Sequence, residues 1–165
     1  MTTSSPRRAT TQACAAAAGA VLVIGLGAAG ATAHSTSADT TGRPLSAVLT
    51  GANEVSPTGV LGVGDPDGTG SAAVRINPGQ NQLCFQLNWK DVGAVGAAHV
   101  HEATAGTNGN VVIPLALDGR KGIAEGCATV ERELLVQIMQ DPSEYYVNLH
   151  TAAFPGGAVR GQLNR

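Results

Sequence analysis

His99 and His101 are separated by one residue, Val100, within a short run of β-forming character, 97–102. In an extended chain residues i and i+2 project from the same face about 7 Å apart, so the two imidazoles stand side by side while Val100 points to the opposite face. Imidazoles so placed can converge on one ion. A third from another strand completes a three-histidine set, which suits copper or zinc rather than calcium or magnesium. His150 is the remaining histidine of the domain, in a run 145–151 where it shares a strand face with Tyr146 and Asn148. Glu102 adjoins His101 but falls on the other face of a regular strand, so it is not counted as a ligand. The same trio serves equally as a hydrogen-bond network to carbonyls, to Asn148 or to a carboxylate. General acid and base chemistry is a third reading, but no motif places a Ser or Cys nucleophile or a pair of carboxylates beside the histidines.

Arg160 stands in the segment 156–162, on the strand predicted to follow His150. A tight turn between them makes the two residues neighbours across a ladder. There Arg160 either guides an anion toward a metal or makes a structural bond to a carboxylate such as Glu54 or to loop carbonyls. The segment 65–70 carries Asp65, Asp67 and Gly68 but lacks the third carboxylate and the closing Glu of a calcium loop, so a turn is expected.

The elements that must hold these side chains read as an all-β domain. Alternating apolar and polar runs at 45–50, 71–77, 83–89, 97–102, 111–117, 126–130, 145–151 and 158–163 are separated by Gly, Pro, Asn and Asp. Pro78, Gly79, Gln80 and Asn81 turn one hairpin, and Phe154, Pro155, Gly156 and Gly157 turn the last. Leu134, Leu135, Ile138 and Met139 form the one helical stripe, in a segment 131–140 that stops before Pro142. A Greek-key β-sandwich or barrel with one short helix follows, of a class that often carries an inter-sheet disulfide.

Arg7 and Arg8 precede an uncharged run, 13–30, that contains Ala20, Val21, Leu22, Val23 and Ile24, the order of a secretory signal. Ala31, Thr32 and Ala33 supply a small-x-small cleavage pattern, so a signal peptide at 1–33 is predicted to be removed before His34. A membrane anchor is the alternative, although a span usually needs about 20 strongly apolar residues and this run is rich in Ala and Gly. The organisation expected is signal 1–33, a Ser/Thr-rich leader 34–44 and a β domain 45–165, secreted, with no membrane span in the mature chain. Cys14 leaves with the signal, and Cys84 and Cys127 are then predicted to form a disulfide in an oxidising compartment. Neither has the close partner that metal-binding cysteines show. The 165-residue chain has a net charge of −2 and 13% charged residues, which argues against nucleic acid as a partner.

Taken in order, the segments 51–55, 68–72, 97–101, 106–109, 145–151 and 154–163 resemble the chordin-type, or CHRD, domain over nearly the whole mature chain. The resemblance implies a secreted, immunoglobulin-like β-barrel of the kind found in microbial extracellular proteins and, as repeats, in animal chordin. The positions it carries over are Glu54, His99, His101, Asn148, His150, Arg160 and Gln162. The cysteine-rich modules with which animal chordin binds growth factors are absent from this chain. A looser similarity lies in His99-Val100-His101-Glu102, which is also the tetrapeptide around two copper ligands in copper/zinc superoxide dismutases. Here no bridging or zinc-loop histidine lies between His101 and His150. The expected function is a non-enzymatic binding or structural module with an extracellular ligand or protein partner. The alternative is a copper- or zinc-binding protein, with superoxide chemistry as one form, in which His99, His101 and His150 hold the ion.

Overall fold

The computed structural model describes residues 42–165. The signal predicted at 1–33 and residues 34–41 of the leader lie outside the described residues. Eight antiparallel strands form one sheet: β1 (Arg43–Thr50), β2 (Thr69–Asn77), β3 (Gln82–Lys90), β4 (Val95–Glu102), β5 (Asn110–Leu115), β6 (Ile123–Thr129), β7 (Tyr145–Thr151) and β8 (Val159–Gln162). Their spatial order is β5-β4-β7-β8-β1-β2-β3-β6, and the end strands β5 and β6 come into contact, so the sheet curls into a nearly closed barrel. Strand β1 begins at Arg43 rather than at Leu45 because Arg43 and Pro44 pair with Ile76 and Arg75. Strand β6 begins earlier than the predicted 126, since Ile123 and Ala124 pair with Asn88 and Leu87.

Period-two alternation builds the interior. Leu45, Ala47 and Leu49 of β1, Ala72, Val74 and Ile76 of β2, and Leu83, Phe85 and Leu87 of β3 all face inward and are buried. From the other half come Ala98 and Val100 of β4, Val147 and Leu149 of β7, and Val159 of β8. The helix α1 (Arg132–Gln140) places Leu135 and Ile138 in this core against β2 and β3. The Arg132 guanidinium donates to the Pro78 carbonyl and the Val130 N–H to that of Asn81, so the helix covers the barrel end at the β2–β3 turn.

Closure between the halves falls to the short strand β8. It pairs with β7 along its whole length but with β1 only where Thr50 meets Arg160, beside an isolated bridge between Ser46 and Asn164. Gly161 is required at the crossing, because a Cβ there would lie 2.1 Å from the Val48 carbonyl oxygen.

Cys84 and Cys127 are bonded, and they are direct ladder partners on β3 and β6. The predicted disulfide is present, as a staple between neighbouring strands of one sheet rather than the inter-sheet bridge common in the class. It closes a sequence separation of 43 residues, for which chain-entropy reasoning gives about 4 kcal/mol. Denaturant unfolding with and without reductant checks this. The midpoint is expected to fall on reduction, and an unchanged midpoint would show that the staple contributes nothing.

Candidate metal centre

Over half of the sheet the outer face is not bare. Strand β7 alternates Tyr145, Val147 and Leu149 toward the core with Tyr146, Asn148 and His150 on the other face, and all of these but His150 are buried. Its neighbours extend the polar face with His99 and His101 from β4 and with Arg160 and Gln162 from β8. The register sets His99 opposite Asn148 and His101 opposite Tyr146, while His150 faces the small side chain of Ala97. The sharing of one face by His99 and His101, read from their spacing, is what the strand provides.

The three imidazoles do gather. His99 Nδ1 lies 3.0 Å from His150 Nε2, and one ring nitrogen from each of His99, His101 and His150 can be chosen so that all lie within 4.8 Å of one another. Backbone carbonyls select the tautomers, because a carbonyl only accepts. His150 donates its Nδ1–H to the Pro155 carbonyl at 3.0 Å and His101 donates its Nδ1–H to the Gly109 carbonyl at 3.0 Å. Each Nε2 is then a lone pair turned toward the cluster, and His99 supplies the proton shared with His150. Asn148 Oδ1 lies 3.0 Å from His150 Nε2, and with a lone pair on that nitrogen the amide completes a hydrogen bond only by turning its NH2 toward it. His101 Nε2 is buried and makes no hydrogen bond of good geometry, a condition that ordinarily costs about 1–3 kcal/mol; the Asn148 side chain, which acts on this ring, offsets part of it.

Burial holds the pKa values of His99 and His101 below the ordinary histidine value, and the neighbouring imidazoles push the same way; at His101 the Gly109 bond opposes the shift. Both rings are accordingly neutral at neutral pH. That is the protonation state a metal ligand requires.

Behind His101 stands a stack. The Tyr146 ring lies parallel to it, within 8° and with centroids 4.7 Å apart, and Arg160 Cζ sits 3.4 Å from the centroid of the same tyrosine. Two planar groups this near cannot share one face of a ring, so Tyr146 separates the imidazole from the guanidinium. Arg160 is 1% exposed. It donates from Nη2 to the carbonyls of Thr107 at 2.6 Å and Thr104 at 3.3 Å, and from Nη1 to Asn108 Oδ1 at 3.2 Å. Gln162 donates to the Ala103 and Ser143 carbonyls at 2.7 and 2.6 Å. Asn108 in turn donates to the carbonyls of Val55 and Ser56.

The expectation that Arg160 neighbours His150 across the ladder is corrected. Arg160 pairs with Asn148, because residues 152–158 form a longer connection than a tight turn. Of the partners considered for it, the loop carbonyls hold its donors, and among the described residues no ion pair joins it to Glu54. Residues 65–68 bend the chain, with the Asp67 N–H donating to Asp65 Oδ1, and Thr69 and Gly70 already belong to β2.

Glu54 is 2% exposed, and its Oε1 has no partner. Its carboxyl packs on Gly157, whose φ of +142° is a backbone conformation that favours glycine. Sequence reasoning assigned no role to Tyr146, Asn108, or the carbonyls of Gly109 and Pro155. The shared face of Tyr146 with Asn148 and His150 was a usable signal for the first. For the carbonyls no side-chain signal exists.

A family model described as the CHRD domain matches residues 45–163. No curated protein and no solved structure matches the chain.

Burial raises the Glu54 pKa to about 7, with the Arg160 charge partly offsetting it. A raised carboxyl favours the neutral form in the fold, so this contribution to stability is complete below the unfolded value near 4.5 and is lost as pH rises to about 7. The loss is on the order of 3 kcal/mol. Unfolding midpoints are compared at pH 5, 6 and 8 in the native chain and in Glu54→Gln: the depressed His99 and His101 add a rise with pH common to both, and the native midpoint is expected to fall relative to that of the variant as pH increases; parallel profiles would show that Glu54 ionises freely.

Proposed function

Since the chain belongs to the CHRD-domain family, we propose that it is a secreted, non-enzymatic module of that family that binds one transition-metal ion, copper or zinc, through His99, His101 and His150. One observation carries the metal reading: His101 Nε2 is buried, unpartnered and held with its lone pair toward two other imidazoles by the bond from its Nδ1 to Gly109. A metal ion supplies the partner that this nitrogen lacks. The bonds to Gly109 and Pro155 are the outer-sphere contacts that orient ligating imidazoles. Metal–nitrogen bonds near 2.1 Å set ligand nitrogens about 3.5 Å apart. The 3.0 Å pair must open slightly and the widest separation, 4.8 Å, must contract, both by small side-chain rotations. Secretion is supported by the disulfide and by the charged-then-apolar order of the first residues.

A second reading, in which the polar layer only closes the barrel and the module meets a protein partner elsewhere, is favoured by the full engagement of Arg160 and Gln162 with loop carbonyls. Metal analysis and thermal melting of the chelator-stripped protein separate the two. Zinc or copper at 100 times its dissociation constant is expected to stabilise the fold by about 2.7 kcal/mol. The accompanying rise in Tm should be lost in His101→Ala and in the more exposed variant His99→Ala. A Tm indifferent to both metals, with no stoichiometric metal retained, would leave the closure reading standing.

A further inference from the structure

Resting on the metal reading, we propose that the centre is selective for monovalent copper over divalent copper and zinc. The donor set is three neutral imidazoles. Among the described residues no carboxylate or thiolate joins them, and both described cysteines are in the disulfide. The ring N–H groups of His101 and His150 go to uncharged backbone carbonyls, not to the carboxylates that raise ligand basicity at many zinc centres. Nothing in this shell neutralises a second positive charge.

The field around the ligands has the same sign. The charges that act on His99 and His101 are those of bases, the other imidazoles and, for His101, the Arg160 guanidinium. That guanidinium lies beyond the Tyr146 ring, on the order of 10 Å from the ligand nitrogens, where at an effective dielectric near 20 it weakens binding about tenfold for each added unit of metal charge. Glu102 is exposed, and Glu54 packs on Gly157 outside the cluster. Coordination number separates the two copper states, whereas three imidazoles and a water also satisfy zinc, so the discrimination against zinc rests on charge. Divalent copper seeks a tetragonal set of four or more nitrogen and oxygen donors. Monovalent copper, with a filled d shell, is satisfied by three nitrogens.

The apo protein is titrated anaerobically with monovalent copper, kept reduced by ascorbate, in competition with a chromogenic cuprous chelator. Zinc is titrated separately, and the reduction potential of bound copper is measured by equilibration with redox dyes. Monovalent copper is expected to bind at least tenfold more tightly than zinc, with a bound-copper potential above that of the aqueous ion. Zinc affinity equal to or greater than that of monovalent copper, or a potential at or below the aqueous value, overturns the selectivity while leaving metal binding intact. Failure of every ion to bind removes the metal reading itself. Asn148→Asp places a carboxylate where an amide now sits 3.0 Å from His150 Nε2. It is expected to narrow the preference for monovalent copper by tenfold or more, and an unchanged ratio in the folded variant overturns the electrostatic cause.

Discussion

A guanidinium withdrawn from water must have its N–H groups met by acceptors, and Arg160 is 1% exposed in the middle of a sheet face. The acceptors it finds are the carbonyls of Thr104 and Thr107 and the side chain of Asn108, all in the connection between β4 and β5. That connection is thereby held down over the sheet, and its last residue, Gly109, presents the carbonyl that sets the tautomer of His101. The guanidinium also braces Tyr146, whose other face carries the His101 ring. Removing the cation would release Thr104, Thr107 and Asn108, which are exposed and would turn to water, and so free the connection from the sheet. The orientation of the imidazole cluster is in this sense a consequence of where one buried charge found its partners.

Burial of β7 on both faces follows from the same layer. An antiparallel strand ordinarily shows one face to water, yet Tyr146 and Asn148 are as enclosed as Val147 and Leu149. Enclosure removes the water that would stabilise charged imidazoles, which is why His99 and His101 stay neutral and keep lone pairs available. The connection from β7 to β8 contributes on the opposite flank. Its Pro155 carbonyl orients His150, and its Gly157 allows the Glu54 carboxyl to lie against the backbone. Of the two connections that bracket the cluster, one is held by hydrogen bonds to Arg160 and the other packs at Gly157 on the Glu54 carboxyl.

The two halves of the barrel divide the work. Strands β3 and β6 carry the disulfide and β2 and β3 lie against the helix, whereas β4 and β7 carry the histidines and β8 carries Arg160 and Gln162. The covalent staple therefore acts on the half remote in sheet order from the polar layer, and β8 with Gly161 joins the two across a close crossing with β1. Membership of the CHRD-domain family accounts for the match of residues 45–163 and sets no chemistry by itself.

Much of the architecture was legible in the chain, because period-two alternation in segments such as 71–77 and 83–89 records which side of a strand meets the core. The helix at 132–140 was legible for the corresponding reason, its apolar stripe and following proline. The pairing of His99 with His101 on one face is likewise a local property of extended backbone. Cys84 and Cys127 were identifiable as a pair but not as ladder neighbours, since register between distant strands leaves no mark on either segment. The offset of Arg160 to Asn148 escaped for the same reason, and so did the roles of Gly109 and Pro155, because every residue has a carbonyl and only the folded chain determines which ones turn toward a ring. What the sequence by itself determined is therefore the set of donors and the faces they occupy, through local backbone geometry. Tertiary structure alone decided their convergence, their tautomers and the buried cation behind them, because these depend on long-range register and on the exclusion of water.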